Sequence, residues 1–241
     1  MFEQLHHLVH LCGMNPFQFL RLLIKGPTPQ QLAAQLRKPQ GLMARKLAER
    51  MNVANRAMYE GVWKALDLAD GMRVLEIGFG NGNYFRELRT KAKDLILHGV
   101  DFSKDMVAEA IARNKELIAN GNLHVVQATS DHMPFGDALF DRIFCINVIY
   151  FWDDPATHLR EVRRVLKPGG TFTAVFRTRA VMEDMTFTPF GFTMYEQADW
   201  QAVLHANGFT VTNTDVLREG AIEYEGKTYS PESLVMTAVA L

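Results

Sequence analysis

Residues 73–82 of this 241-residue chain read Arg-Val-Leu-Glu-Ile-Gly-Phe-Gly-Asn-Gly. The first half of this stretch is mostly apolar and contains β-branched side chains, which predicts a short buried strand. Glycines then occupy alternate positions, at Gly78, Gly80 and Gly82. Glycine permits a sharp turn and lets the backbone approach a ligand that a Cβ atom would repel. The stretch is therefore typical of a strand that ends at the ligand-binding edge of a parallel sheet.

Strands and helices alternate around this stretch. Further strands are predicted at residues 95–100, near 125–126, at 142–148 and, after a turn at 167–170, at 171–176. Helices are predicted between them, over residues 84–93, after Ser103, whose hydroxyl can accept from a free amide of the first turn, and from Pro155 to about residue 166. This alternation implies parallel strands joined by right-handed crossovers, and hence a doubly wound α/β sheet.

The flanking regions have different patterns. Residues 1–66 show apolar residues at helical spacing and no strand pattern, with helices expected up to Gly26, over 30–36 and from 42 towards 66. We expect this region to be a helical extension, serving as a lid or an oligomer arm, ahead of a domain at residues 67–241. At the far end, a helix at 197–207 and two strands at 209–217 and 234–239 predict a closing hairpin with an antiparallel edge.

The composition argues against several classes of protein. The chain has 26 basic and 27 acidic residues and a formal net charge of -1, so it lacks the electrostatic footprint of a protein that binds nucleic acid or an anionic membrane. The two cysteines, Cys12 and Cys145, are far apart, and neither a signal peptide nor a membrane-spanning run is evident. We therefore expect a cytoplasmic protein. His6, His7 and His10 lack nearby Cys or acidic ligands, so we expect no metal site.

The second predicted strand ends at Asp101, where a carboxylate can accept hydrogen bonds from both hydroxyls of a ribose. Glu76, at the end of the first strand, can hold the glycine loop or accept from a cationic ligand amine. A nicotinamide or flavin dinucleotide site is the competing interpretation. That fingerprint requires a third glycine at position 83, and residue 83 is Asn83, which weakens the dinucleotide interpretation.

Four segments in order resemble the motifs of class I S-adenosylmethionine-dependent methyltransferases. They are residues 74–82, residues 99–103, Pro134-Phe135 with Phe140-Asp141, and residues 166–170. The chain is most similar to the bacterial small-molecule group that includes the ubiquinone/menaquinone-biosynthesis type. This resemblance implies a Rossmann-like, seven-stranded, mostly parallel sheet with an antiparallel last strand. It also implies S-adenosylmethionine as cofactor and S-adenosylhomocysteine as product.

The resemblance assigns cofactor-binding roles by position. The glycine loop takes the methionine and ribose portion, Asp101 the ribose hydroxyls, and Phe102 and Met106 the adenine surface. Where the family has Gly-Asp-Ala after the third strand, this chain has Ala128-Thr129-Ser130, so Thr129 or the following Asp131 takes the adenine contact. The expected cofactor-binding residues are Glu76, Gly78, Gly80, Gly82, Asp101, Phe102, Met106, Thr129, Ser130 and Asn147.

The acceptor of the methyl group is expected beside the end of the fourth strand. The expected acceptor-binding residues are Tyr59, Tyr150, Trp152 and Phe192, with Trp63, Phe190 and Tyr195 as further candidates. Packing of Phe151 and Trp152 under the following helix is an equally weighted alternative.

Methyl transfer is an in-line displacement, which requires that the acceptor be held ~3 Å from the methyl carbon and requires a base only when the acceptor loses a proton. His132 and His158 show no evident partner in the sequence, and no general base is assigned.

The leading hypothesis is thus S-adenosylmethionine-dependent methyl transfer to a small, partly apolar acceptor. A module that binds the cofactor without transferring its methyl group is the alternative, followed by a dinucleotide-dependent oxidoreductase. We expect neither nucleic acid nor membrane as a partner, and a homodimer through the N-terminal helices is one arrangement that the extension permits.

Overall fold

The computed structural model of the chain describes residues 26–241, apart from residues 221, 225 and 230. The helices expected before Gly26, together with the histidines near the N-terminus and Cys12, lie outside the described residues.

Seven strands form one sheet in the order β3-β2-β1-β4-β5-β9-β6. The first five strands of the chain pair in parallel, whereas β9 is antiparallel to both β5 and β6. This confirms the predicted Rossmann-like doubly wound sheet with an antiparallel strand near one edge. The strands are β1 (Arg73–Ile77), β2 (Ile96–Asp101), β3 (Leu123–Gln127), β4 (Phe140–Ile146), β5 (Leu166–Arg177), β6 (Phe209–Arg218) and β9 (Glu232–Ala240), with β7 (Ile222–Tyr224) and β8 (Lys227–Tyr229) in a separate hairpin.

Two helices begin at the capping residues that the sequence predicts. Ser103 Oγ accepts from Met106 N at 3.3 Å, and Asp154 Oδ1 accepts from Ala156 N at 3.2 Å, so both predicted helix starts are confirmed. The helices are α1 (Pro29–Arg37), α2 (Leu42–Ala54), α3 (Arg56–Ala65), α4 (Phe85–Leu88), α5 (Lys104–Arg113), α6 (Lys115–Ala119), α7 (Pro155–Val165), α8 (Arg179–Met182) and α9 (Gln197–Ala206).

Two predicted helices are wrong in extent. The helix expected from residue 42 towards 66 is divided at Asn55, whose side-chain oxygen accepts from Asn147 Nδ2 at 3.1 Å. The helix expected over residues 84–93 is regular only in α4. Thr90 there donates its hydroxyl to Glu87 O at 2.7 Å, an example of a short side chain that competes with helical backbone bonding.

The predicted turn at residues 167–170 lies inside β5. Leu166 pairs with Phe140, and the next pair joins Thr171 to Arg142, so the intervening residues bulge out of the ladder. Gly169 has φ +76 there, a backbone conformation that glycine adopts readily. The turn and the strand predictions were both right locally, and the bulge reconciles them.

The sheet separates two hydrophobic cores, because successive side chains of a strand point to opposite faces. Leu75 and Cys145 belong to the core under α7 and α9, which includes Trp200. Their neighbours Val74 and Phe144 belong to the core under α3 and α5. Within the described part of the chain, no helix is both long and apolar enough to cross a membrane. The packing fixes the sheet between two layers, with the loops at the carboxyl ends of the strands available for a site.

Candidate functional site

A cavity of about 880 Å³ lies at the carboxyl ends of β1, β2 and β4 and is covered by α1, α2 and the start of α3. Among the expected cofactor-binding residues and the four principal acceptor-binding residues, only Glu76 and Gly82 do not border it. Those that border it are Gly78, Gly80, Asp101, Phe102, Met106, Thr129, Ser130, Asn147, Tyr59, Tyr150, Trp152 and Phe192. The topology thus brings together side chains that are up to 133 positions apart in the sequence, from Tyr59 to Phe192.

The three glycines of the loop have different structural roles. A Cβ atom on Gly78 would lie 2.4 Å from a methyl of Val148, so only glycine fits there. Gly80, at φ +58, is needed for its backbone conformation, and its N–H donates to Asp101 Oδ2 at 3.0 Å. Gly82 does not border the cavity: a Cβ there would lie 2.8 Å from that of Ala110 in α5. Gly82 therefore allows the loop to pack closely against α5, and its cofactor role stays a prediction.

The carboxylate of Asp101 is fixed at the end of β2. Its Oδ1 accepts from Ser103 N at 2.8 Å and its Oδ2 from Gly80 N at 3.0 Å. Burial raises the pKa of Asp101 to about 6, against the opposing effect of these two backbone donors. The group is therefore oriented by the protein while it borders the cavity, as a receptor for ligand hydroxyls requires.

Glu76 lies beneath the cavity wall and not in it. The side chain is 3% exposed, and its Oε1 accepts from Tyr59 OH at 2.6 Å. Burial raises the pKa of Glu76 to about 8, with the Tyr59 hydrogen bond lowering it and the charge of Asp101 raising it further. Tyr59, whose ring stacks on Tyr84 at 3.8 Å between centroids, borders the cavity instead. A hydrogen bond thus joins two residues that the sequence analysis assigned to different ligands, Glu76 to the cofactor and Tyr59 to the acceptor.

The end of the cavity near β2 and β3 is lined by Phe102, Met106, Thr129 and Ser130. Lys38, which follows α1, places its Nζ 5.2 Å from the centroid of the Phe102 ring. Met106 is 1% exposed and packs against alanines of α2. This end is therefore enclosed partly by the N-terminal helices.

Trp152 and His158 form a stacked pair beside Ser130. Their rings lie 4.8 Å apart at an interplanar angle of 4°. Ser130 Oγ accepts from Trp152 Nε1 at 3.1 Å and lies 2.8 Å from His158 Nδ1. Trp152 therefore packs against α7, which agrees with the alternative that it lies under the following helix. It also borders the cavity, although it is only 2% exposed. His158 has the partner that was not evident in the sequence, and burial lowers its pKa.

Asn147 follows the end of β4 with φ +57, the left-handed region that few non-glycine residues adopt. Its Oδ1 accepts from Tyr150 OH at 3.0 Å, and its Nδ2 donates to Asn55 Oδ1 at 3.1 Å. The Tyr150 hydroxyl also accepts from Arg177 N at 2.6 Å. These hydrogen bonds occupy the Tyr150 hydroxyl, and burial raises the pKa of the group. Tyr150 therefore fixes the positions of Asn147 and of the end of β5.

Beyond Asn147 the cavity wall is apolar and aromatic. The ring of Phe192 lies 4.7 Å from that of Phe151 and 5.9 Å from that of Tyr150. The other apolar residues of this wall are Leu32, Leu36, Leu47, Met51, Val148, Met182, Met185 and Phe187.

Three further acceptor candidates do not border this cavity. Trp63 packs against Tyr59 and Tyr84 in the core under α3, Phe190 is 43% exposed, and Tyr195 packs against Trp200.

Sequence reasoning missed Asn81, the residue between two glycines of the loop. Asn81 is 2% exposed and borders the cavity, and its Nδ2 has no hydrogen-bond partner among the described residues. A buried amide without a partner is unfavourable, so such an atom commonly marks a place where a ligand supplies the acceptor. Its position between two glycines of the loop was the available signal.

Arg177 and Asn55 were also missed, because their roles depend on distant parts of the chain. Arg177 borders the cavity and forms an ion pair with Glu219, with Nε–Oε1 at 3.1 Å and Nη2–Oε2 at 2.5 Å. By contrast, neither Glu76 nor Asp101 has an ion-pair partner within the described ranges. Two buried carboxylates and one unpaired amide donor suit a ligand that carries positive charge, hydroxyls and a hydrogen-bond acceptor.

Comparisons with known proteins agree with this geometry. The family model described as a methyltransferase domain matches residues 75–174. "Putative methyltransferase YrhH" of Bacillus subtilis is 30% identical over 123 residues, which cover 51% of this chain and 67% of that protein. The ubiquinone/menaquinone biosynthesis C-methyltransferase UbiE of Vibrio cholerae is 28% identical over 154 residues, which cover 58% of this chain and 57% of UbiE.

Solved structures show the same fold. The crystal structure of a SAM-dependent methyltransferase from Aquifex aeolicus matches with a TM-score of 0.62 at 19% identity, over 81% of this chain and 98% of that one. The solved structures show the fold, whereas the sequence matches show the family. The matched residues 75–174 include the glycine loop and the residues that follow β2 and β4. The chain belongs to the class I S-adenosylmethionine-dependent methyltransferases, and it is a methyl-transferring enzyme that uses S-adenosylmethionine.

Proposed function

We propose that the cavity binds S-adenosylmethionine over the ends of β1, β2 and β3, and a small, partly apolar acceptor beside the end of β4. The observation that carries the proposal is the combination at one end of the cavity of the oriented Asp101 carboxylate with the unpaired amide of Asn81. S-adenosylmethionine, when bound, supplies a methyl group on a positively charged sulfur.

The chain's own residues bind and orient in this scheme. Asp101 accepts from the ribose hydroxyls, since its two oxygens are already held by backbone donors at 2.8 and 3.0 Å. Phe102 and Met106 enclose the adenine, with Thr129 and Ser130 at its edge. Asn81 donates to an acceptor on the amino-acid portion. Each contact holds the cofactor in place, and fixed placement of the reacting groups accounts for much of the rate of such a transfer.

The acceptor compartment selects by shape and apolarity. Its wall contains methionine and aromatic side chains on α8 and the segment after it, together with leucines of α1 and α2. Methionine side chains adapt to irregular ligands, and aromatic rings bury large apolar area. Asn147, held by Tyr150 and Asn55, supplies the polar group at the junction of the two compartments.

The N-terminal helices have a place in this proposal as a lid. α1 and α2 cover the cavity, so they exclude water when the site is occupied. We retain residues 67–241 as the methyltransferase domain and the preceding residues as its extension. A homodimer through that extension and a cytoplasmic location remain predictions.

Isothermal calorimetry with S-adenosylmethionine and S-adenosylhomocysteine tests the cofactor site. Asp101→Ala is expected to weaken both affinities by about tenfold or more, because a charge-assisted bond of ~1.5–3 kcal/mol is lost. Folded wild-type protein that binds neither ligand contradicts the proposal.

Turnover with a labelled methyl group, offered separately to small phenols and other apolar small molecules, to transfer RNA and to bulk protein, tests the acceptor class. Label transferred only to a macromolecule overturns the small-acceptor part.

A further inference from the structure

Glu76 and Tyr59 form an unusual pair under the cofactor end of the cavity. Tyr59 is supplied by α3 of the N-terminal extension, whereas Glu76 lies in β1 between Gly99 of β2 and Phe144 of β4. The hydroxyl of Tyr59 donates to Glu76 Oε1 at 2.6 Å, and it is the one hydrogen-bond partner of that carboxyl among the residues described. The ring of Tyr59 borders the cavity, while Glu76 does not reach it.

This end of the cavity holds two buried carboxyl groups, and no basic side chain of the described residues is paired with either. Glu76 is 3% exposed and Asp101 is 7% exposed. No Lys, Arg or His in the described ranges is within ion-pair distance of either, and the guanidinium of Arg177 is paired with Glu219. Charges buried in a low-dielectric interior act over longer distances than charges in water. The arrangement therefore favours a positive charge on whatever occupies this end.

The substrate and product forms of the cofactor differ in this property. S-adenosylmethionine carries a positively charged sulfonium, and S-adenosylhomocysteine carries a neutral thioether, whereas the adenosine, amino and carboxyl groups are common to both. Contacts with the shared groups, such as those expected of Asp101 and Asn81, contribute equally to the two affinities. The two forms differ only at the sulfur, in its charge and its methyl group, so a negatively charged group near the sulfur favours the cationic form.

We propose that Tyr59 and Glu76 make the cavity selective for the charged cofactor over its neutral product. A cation bound at this end favours loss of the Glu76 proton to solvent, and the resulting carboxylate supplies the negative charge. Tyr59 is the positioning residue, since its hydroxyl donates to that carboxyl at 2.6 Å and stabilises its ionised form. Stacking on Tyr84 at 3.8 Å fixes the Tyr59 ring in turn. The inference rests on the proposed cofactor site and adds a role for the extension in releasing the spent product.

Calorimetric affinities for three ligands test the proposal: S-adenosylmethionine, S-adenosylhomocysteine and sinefungin, an analogue with an ammonium group near the sulfur position. Tyr59→Phe and Glu76→Gln are expected to weaken binding of the two cationic ligands ~5–10-fold, as loss of a buried charge interaction implies. Binding of S-adenosylhomocysteine is expected to change less than about twofold. Tyr59→Phe removes a single hydroxyl, so it keeps the test informative if Glu76→Gln fails to fold.

Two matched variants separate charge selection from general damage. Asn81→Ala removes no charge and is expected to weaken all three ligands by a similar factor, because the amino-acid portion is common to them. Tyr84→Phe removes the neighbouring hydroxyl, which donates to Asn52 O at 2.5 Å, and is expected to leave the ratio of affinities unchanged. Equal weakening of charged and neutral ligands in Tyr59→Phe and Glu76→Gln overturns the inference and leaves the proposed function standing. Wild-type protein that binds none of the three overturns the proposed function itself.

Discussion

Asn81 has the one buried, unpartnered polar atom of the described residues that belongs to the wall of the main cavity. Other buried polar side chains near the site are satisfied. Glu219, for example, pairs with Arg177 and also accepts from the hydroxyl of Ser233. A group left without a partner inside a folded protein lowers stability unless a ligand completes it.

Asn81→Ala is therefore expected to separate binding from stability. The variant loses one donor to the ligand, so affinity for S-adenosylhomocysteine should fall ~3–10-fold, which corresponds to ~0.5–1.5 kcal/mol. The free energy of unfolding without ligand should change little, because no protein hydrogen bond among the described residues is lost. Calorimetry and urea unfolding measure the two quantities.

Asn83→Ala is the matched control for this variant. Asn83 Oδ1 accepts from Arg113 Nη1 at 3.1 Å, and Asn83 does not border the cavity. Its removal should leave the affinity unchanged, and a comparable loss in both variants contradicts a specific role for Asn81.

Glu76 predicts a pH dependence of stability. Its pKa rises from 4.5 to about 8 in the folded protein, mainly through burial. The unfolded chain therefore ionises first as the pH rises, and the folded state loses relative stability between those two values. One proton corresponds to a slope of at most about 1.4 kcal/mol per pH unit.

Glu76→Gln removes this titration while keeping an oxygen that can accept from Tyr59. The stability of the wild type relative to the variant should fall as the pH rises from 5 to 8, within the interval set by the two pKa values of Glu76. Urea unfolding at several pH values measures the difference, in which the titration of Asp101 largely cancels. A difference that stays constant over this range contradicts the assignment.

At the scale of elements, a small number of polar contacts attach α1 and α2 to the sheet domain. Ser103 Oγ donates to Pro39 O at 2.5 Å, and Gly41 N donates to Asp105 Oδ2 at 2.7 Å. Arg37 Nη2 reaches Asp153 Oδ2 at 2.6 Å across the cavity mouth. These contacts are partly exposed, so each contributes modestly. In the proposed function, together they set how readily the helices open as a lid.

Asp105→Ala should therefore accelerate ligand release. Loss of the Gly41 contact is expected to raise the dissociation rate of S-adenosylhomocysteine ~3–10-fold, which corresponds to ~1 kcal/mol. Stopped-flow displacement measures this rate. Glu109→Ala, in the same helix and with no hydrogen bond to the described part of the extension, is the control. Equal rates in wild type and Asp105→Ala contradict the lid.

Local signals predicted the elements well, and the site in part. The caps at Ser103 and Asp154 and the glycine turn depend on residues that are close in the sequence. Such local features can be predicted from the sequence alone. The break at Asn55 depends on Asn147, and the placement of Glu76 depends on Tyr59. Contacts over such separations are set by the tertiary fold and leave no local pattern.

At the scale of the whole molecule, the site lies at the carboxyl ends of the strands, and both faces of the sheet are packed against helices. Leu204 of α9 is fully buried in the core under α7 and α9, and it does not border the cavity. Stability and binding should therefore respond to different substitutions.

Leu204→Ala is expected to lower the free energy of unfolding by about 2–5 kcal/mol, through lost burial and the cavity that remains. The folded fraction should bind S-adenosylhomocysteine with wild-type affinity. Urea unfolding and calorimetry measure the two effects, with the exposed Gln201→Ala on the same helix as control. A parallel loss of affinity contradicts the separation of core and site.

The position of β9 has a consequence for synthesis. β9 follows β6 in the chain, yet it lies between β5 and β6 in the sheet. While a ribosome is still making β9, β6 has no sheet partner among the described strands, and the outer edge of β5 stays open. Unpaired strand edges on a nascent chain invite association with other chains. Rapid translation through residues 219–240 therefore shortens the interval in which the growing polypeptide is exposed to that hazard.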